Sequence, residues 1–211
     1  RKEVEPLKKM YLDAMYKFGI PSMFKDSNDA VFLLGELYVK YKLNQHAFTL
    51  GRMKINTPLI NPEDGRMIPT LVQGFWYNYK ASKSTFQLGL LNEIAPRSTG
   101  QFYGIGESIG TYPVGRNKGG NASQYSDNSE SDYILMFNAD FEIAKNLKLN
   151  VWNQYVDNVF NSIYIKPSLK ISESVQIEGE WLHLNKIGDG GNSLDSLRYF
   201  NQNTADVLGL K

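Results

Sequence analysis

The feature that most constrains this chain is a period-two alternation of apolar and polar residues, held over runs of about ten residues and repeated along most of its length. The clearest run is 133–143. Tyr133, Leu135, Phe137, Ala139, Phe141 and Ile143 alternate there with Asn138, Asp140 and Glu142. Successive side chains of a strand point to opposite faces, so each run has one apolar and one polar face. Soluble strands average roughly 5–6 residues. These runs are closer to the ~9–11 that a tilted strand needs to cross a bilayer.

The other runs follow the same rule. Val31, Leu33, Leu37, Val39 and Tyr41 oppose Glu36, Tyr38 and Lys40, with Phe32 and Leu34 as exceptions. Phe86, Leu88 and Leu90 oppose Thr85, Gln87 and Gly89. Leu147, Leu149, Val151 and Tyr155 oppose Lys148, Asn150 and Gln154. Ile163, Ile165, Leu169 and Ile171 oppose Ser162, Lys166, Ser168 and Lys170. Val175, Ile177 and Trp181 oppose Gln176, Glu178 and Glu180. Two residues break the pattern. Gln73 shares the parity of Leu71, Phe75, Tyr77 and Tyr79, and Pro167 falls in mid-run, where a bulge is expected to hold it.

Connection lengths carry a second signal. Tight turns are expected at 42–45, 81–84, 144–146 and 172–174. Long loops are expected at 53–68, 93–130 and 185–203, with a short exception at Asp157-Asn158. Short turns at one end and long loops at the other are the plan of an outer-membrane barrel. The expected fold is all-β: an antiparallel transmembrane β-barrel, of which about eight strands are visible here as a portion of a larger barrel. Residues 1–30 read as an N-terminal loop or helical segment, with weak helical periodicity around Leu7–Phe18, and 31–211 as the barrel portion. Tyr41, Tyr79, Tyr133, Tyr155, Phe160 and Trp181 lie near strand ends and suit interfacial aromatic girdles.

Composition narrows the function classes. The net charge is +1, so no bulk field points to nucleic acid. There is no cysteine, hence no disulfide framework or thiolate metal site. No run reaches the ~18 apolar residues of a spanning helix, which leaves strands as the means of crossing. The chain opens at Arg1 without a leader and closes on Val207-Leu208-Gly209-Leu210-Lys211, a strand-like opening; a piece of a longer protein is expected.

One stretch is more specific. Gly51-Arg52 stands near a strand end, followed by Thr57-Pro58-Leu59, then Arg66-Met67-Ile68-Pro69 and Gly74. This arrangement resembles the OprD-type outer-membrane porins. The resemblance implies a many-stranded bacterial outer-membrane barrel, each monomer a pore passing small polar solutes, often carboxylate-bearing, by diffusion. It also implies a basic track on the wall and an inward-folded loop. Arg52 and Arg66 match the motif as candidate selectivity residues. Lys54, Lys80, Lys148, Lys166 and Lys170 join them by facing alone, and Glu36, Asp140 and Glu142 make the wall mixed in charge. Arginine suits carboxylates through its planar pair of donors.

The loop 93–130 is rich in Gly, Ser and Asn. It either folds inward as a constriction or stays a free external loop. Phe102, Tyr103, Glu107, Tyr112 and Arg116 are the candidates for an inward-folded form. Gly104-Ile105-Gly106 is discounted as a dinucleotide turn, because the third glycine is misplaced and no helix is expected after it. Asn121-Ala122-Ser123 matches a glycosylation acceptor by chance. His46 and His183 are the only histidines and have no ligand spacing, so no metal, cofactor or catalytic residue is expected. Glu178 and Glu180 read as a wet wall rather than an acid–base pair. The expected partners are the lipid bilayer and small polar solutes. The alternatives are a structural barrel with partners in an envelope complex, a soluble all-β carbohydrate-binding module, and a barrel enzyme for which no nucleophile–base pair is evident.

Overall fold

The computed structural model describes residues 34–62, 69–97, 99–111, 117 and 119–211. The expected segment 1–30 and its boundary with the barrel lie outside them. The described chain is one antiparallel sheet of ten strands with a single six-residue helix. The strands are β1 (Leu37–Leu43), β2 (His46–Met53), β3 (Leu71–Lys80), β4 (Ser84–Ala95), β5 (Tyr103–Gly104), β6 (Ile134–Ala144), β7 (Leu147–Val156), β8 (Phe160–Lys170), β9 (Gln176–Lys186) and β10 (Thr204–Leu210). The helix, α1, is Ile105–Gly110. Each long strand pairs with the next long strand in sequence, and β5 pairs with β4 alone.

This meander follows from the hairpin chemistry. Asn44-Gln45 turns β1 into β2, with Asn44 at φ 52°. Asparagine tolerates that left-handed conformation, which two-residue hairpins require. Asn158, at φ 55°, turns β7 into β8 at the opposite end of the sheet. Strands β3, β4 and β6 to β9 run 10 to 12 residues. That is the length a tilted crossing strand needs.

One face, here called outer, carries exposed apolar side chains. Val39, Leu50, Phe75, Leu90 and Leu135 are successive cross-strand partners on it. Tyr41, Phe48, Tyr77, Leu88 and Phe137 form the next rung toward the short turns. Val39 is 75% exposed and Leu50 63%, far outside what a water-facing sheet sustains over so wide a patch. Aromatic contacts line the turn end of this face, with Phe48 5.0 Å from Tyr77 and His46 4.8 Å from Tyr79. Farther along the sheet the same rungs turn polar. Asn153, the partner of Phe137, donates to Asn161 at 2.8 Å, and His183 and Asp206 follow. The apolar positions of β8 to β10 are displaced toward the turns, at Ile165, Trp181, Leu208 and Leu210. The apolar band therefore crosses the rungs obliquely. A flat hydrocarbon slab demands that of strands tilted by ~35–45°.

The inner face is divided. Near the long loops it holds the buried cluster of Met53, Val72, Leu91, Ile134, Met136 and Trp152, with Trp76, Val156 and Val159. Near the short turns it is polar. Phe160, expected in an interfacial girdle, instead packs against the inner cluster.

Glycines set the close approaches. Gly51 and Gly74, which bound the motif stretch, are direct cross-strand partners. They take φ values of 127° and 156°, and a Cβ would lie 2.3 Å from the Leu37 carbonyl oxygen at Gly51 and 2.1 Å from that of Leu90 at Gly74. Beside Gly74 the register shifts, so that Asn92 is left without a partner in β3, the kink of a β-bulge. Pro167 needs no bulge. It stays in register with Leu149, while pairing toward β9 lapses between Ile165–Trp181 and Ser168–Glu178 without a shift. Gly179 stands across from the proline ring, where a Cβ would come only to 3.5 Å from it.

Gly89 makes room for Trp76: a Cβ there would lie 2.5 Å from the indole ring. Gly89→Ala is expected to push Trp76 off β4 and to cost about 1–3 kcal/mol through overpacking. Guanidinium unfolding of the complete protein in detergent, followed by tryptophan fluorescence, measures both effects. An unchanged midpoint and emission maximum would contradict the packing described.

Candidate functional site

Across the turn end of the inner face, polar partners follow one another strand by strand. Lys80 pairs with Thr85, Thr85 with Asp140, Asp140 with Asn150, and Asn150 with Lys166. Asn150 donates its amide to Asp140. Lys166 Nζ lies 2.9 Å from Glu178 Oε2 and 3.3 Å from Glu180 Oε1, which carries the rung onto β9. One rung nearer the turns, Glu142 pairs with Lys148, Lys148 with Ser168, and Ser168 with Glu178. The Ser168 hydroxyl donates to Glu178 at 3.2 Å, and the Gln176 amide donates to it at 2.7 Å.

Two grooves open on this wall. One, of about 490 Å³, brings together Lys80, Asp140, Glu142, Lys148 and Lys166, all expected from facing alone. The other, of about 640 Å³, holds Glu36 and Lys54 with Lys40, Lys42 and Lys80. Among the described residues, Lys40, Lys42, Lys80 and Lys148 form no ion pair. Lys170, paired with Gln176, marks the turn edge. The wall is thus a set of exposed cations, with carboxylates concentrated around the half-buried Lys166. Exposed ion pairs add little to stability, so the rungs are not what holds the sheet together.

The loop end of the same face is closed by chain. β5 takes the edge of β4 at Glu93–Gly104 and Ile94–Tyr103, just past Leu91–Ile134, where pairing with β6 ends. α1 then lies against the inner face. Ile105 is 1% exposed within the buried cluster, and Ile109 packs at its margin. The Glu107 carboxylate accepts the Gly104 N–H at 3.2 Å and ties the start of the helix. Gly106 N–H donates to the Ser131 carbonyl at 3.0 Å, and a Cβ on Gly106 would lie 2.1 Å from the Ser129 carbonyl oxygen. Neighbouring loops lock onto this one. Glu130 N–H donates to Gly191 O at 2.7 Å, and the Asn192 amide to Asn128 O at 2.8 Å. From the other side, Thr57 Oγ1 accepts the Ile60 N–H at 2.7 Å and folds Ile55 and Ile60 into the cluster.

Of the constriction candidates, Tyr103 is the partner of Ile94 and Glu107 ties the helix, while Phe102 stands on the outer side. Tyr112 and Arg116 lie outside the described residues. A helix does follow Gly104, contrary to the sequence reading, although it is one and a half turns long. The side chains that dock it, Ile105 and Ile109, were not singled out. Their spacing of four in an otherwise polar loop is the signal that marks them.

Arg52 corrects the motif reading. It shares the parity of Phe48 and Leu50, and its partners Leu37 and Gln73 also point outward. Its Nε donates to Gln73 Oε1 at 2.9 Å, Nη2 lies 4.0 Å from Glu93 Oε2, and Cζ sits 4.2 Å over the Phe102 ring. It does not share the wall with the lysines. Gln73, the odd residue on an apolar parity, is explained by this contact. Arg66 lies outside the described residues. His183 is also outward, its Nδ1 2.9 Å from Asp206 Oδ1, which accepts Trp181 Nε1–H at 3.0 Å.

Ile105→Ala is expected to remove about 2–5 kcal/mol of packing from the inward loop. Amide exchange of 103–110 should then quicken at least tenfold, with 134–156 unaffected. Equal exchange in both proteins would mean that the helix is held by its backbone contacts alone.

Comparison with known proteins places the geometry. A family model described as outer membrane porin, OprD family, matches residues 19–199. Among solved structures, Pseudomonas aeruginosa OccD3 (OpdP) is similar with a TM-score of 0.61 and 16% identity, over 75% of this chain and 36% of that one. Pseudomonas aeruginosa OccK8 (OprE) gives 0.58 and 16%, over 81% and 43%. Pseudomonas aeruginosa OpdK with vanillate gives 0.56 and 14%, over 73% and 38%. This chain therefore spans less than half the length of each of these structures. No curated protein matches it. The structural likeness shows a shared β-barrel fold, and the family match covers most of the chain: it belongs to the OprD family of outer-membrane porins.

Proposed function

We propose that the complete protein is a diffusion channel for small polar solutes, favouring those that carry a carboxylate. The observation that carries this reading is the lysine-rich inner wall. Lys40, Lys42, Lys80 and Lys148 line it and form no ion pair among the described residues. Cations on a wet wall beside a low-dielectric barrel raise the local concentration of anions and bias which ions enter. Lys54, Lys170, Glu36, Asp140 and Glu142 complete the lining, and Lys166 is screened by Glu178 and Glu180. The inward loop narrows the passage above them. One similar structure, OpdK, holds vanillate, a carboxylate. Arg66 remains a candidate through the motif alone.

A second reading has its own support. The apolar packing on the inner face, with Val72 and Leu91 fully buried, suits a barrel whose lumen is closed and whose role is structural, within an envelope complex. Conductance separates the two. In planar bilayers the complete protein is expected to conduct with anion preference. Lys80→Gln combined with Lys148→Gln should move the reversal potential in a salt gradient toward cations. Liposome swelling should be faster with a small carboxylate than with a neutral solute of equal size. An unmoved reversal potential would remove the lysines from selectivity, and an absence of conductance would favour the closed barrel.

A further inference from the structure

Arg52 lies on the far side of the wall from the lysine-lined grooves, yet it touches the residue from which the inward loop departs. Three strands and the loop meet there. Gln73 on β3 and Glu93 on β4 hold the guanidinium from one side at 2.9 and 4.0 Å, and the Phe102 ring covers its face at 4.2 Å. Phe102 is followed directly by Tyr103–Gly104, the two residues that pair with β4, and then by α1 on the opposite face. The chain therefore crosses from the outer to the inner side of the sheet between Phe102 and Ile105. Leu71 and Ala95, cross-strand partners on the same side, are buried at 3% and 0% exposure, while the Arg52 and Glu93 side chains stay partly exposed.

We propose that Arg52 is a positioning residue, a latch on the outer wall that fixes through Phe102 where the inward loop enters the pore. This rests on the porin reading for its effect on conduction, though not for the latch itself. Guanidinium is suited to the task. It donates an in-plane hydrogen bond to Gln73 and pairs with the Glu93 carboxylate, while its face stays free to stack on a ring. A lysine keeps the charge but cannot do both at once. Arg52 thus acts on the constriction by holding its root, and its charge does not face the solute.

The test uses the complete protein in detergent and in planar bilayers. Arg52→Ala and Phe102→Leu are each expected to speed amide exchange across 103–110 by roughly three- to thirtyfold, the range a cation–ring contact spans. Both should raise open-channel noise and sub-conductance visits, while the reversal potential stays at its wild-type value. Arg52→Lys should restore only part of the protection. Phe102→Leu keeps the arginine and the apolar bulk, so it reports even if Arg52→Ala fails to fold. Wild-type exchange in Phe102→Leu would overturn the latch. So would a shift of the reversal potential in Arg52→Ala toward cations, since that would make Arg52 a pore charge. A wild-type protein without conductance sinks the channel reading, and the exchange measurement still decides the latch.

Discussion

Inside hydrocarbon a peptide group has no water to bond, and leaving one unpaired costs several kcal/mol. That single constraint organises this chain. It explains why every long strand lies beside the next long strand in sequence, with turns as short as Asn44-Gln45. It explains why departures from the ladder are so local. The register slips by one residue at Asn92 and again at Ile143 beside the β6–β7 turn, and pairing lapses across 166–167 beside Pro167. At two of these places glycine stands where the backbone crowds: Gly74 across from the bulge at Asn92, Gly179 across from the proline.

The inner face shows two regimes of energy in one sheet. At the loop end, burial holds chain to chain. A fully buried isoleucine such as Ile105 contributes about 1.5–3 kcal/mol, enough to pin a helix that its own propensity would not form. At the turn end the side chains stay half in water, and their charges are weakly coupled to folding. That separation lets the lysines vary in role without endangering the barrel.

Much of this was legible in the sequence, because period two is a strong signal and one face of each strand had to be apolar. The faces of 133–143, 147–155 and 175–181 read directly from alternation, and so did the turns at 42–45 and 157–158. The failures have physical causes. Arg52 was read by motif, although its spacing from Phe48 and Leu50 already put it on their side. α1 was invisible because six residues with two glycines have little helical propensity; its docking is tertiary. Phe160 looked like an interfacial aromatic, but the tight turn at Asn158 aims it at Phe200, 5.8 Å away. In the sequence Gly51 and Gly74 are only the two ends of the motif stretch. That they face each other across two strands is a matter of register, which only pairing reveals.

The oblique course of the outer apolar band has a consequence for the inner wall. The polar rung from Lys80 through Asp140 and Asn150 to Lys166 follows the hydrogen-bonding direction, as the outer rungs do. Strands stand about 4.8 Å apart, so at a tilt of ~35–45° each step along the rung changes depth by roughly 3 Å. Side chains that look level in the register are therefore stacked like treads of a spiral stair. In the proposed channel, a solute descending past them would meet its charged contacts in sequence, handed from one to the next rather than held by all at once.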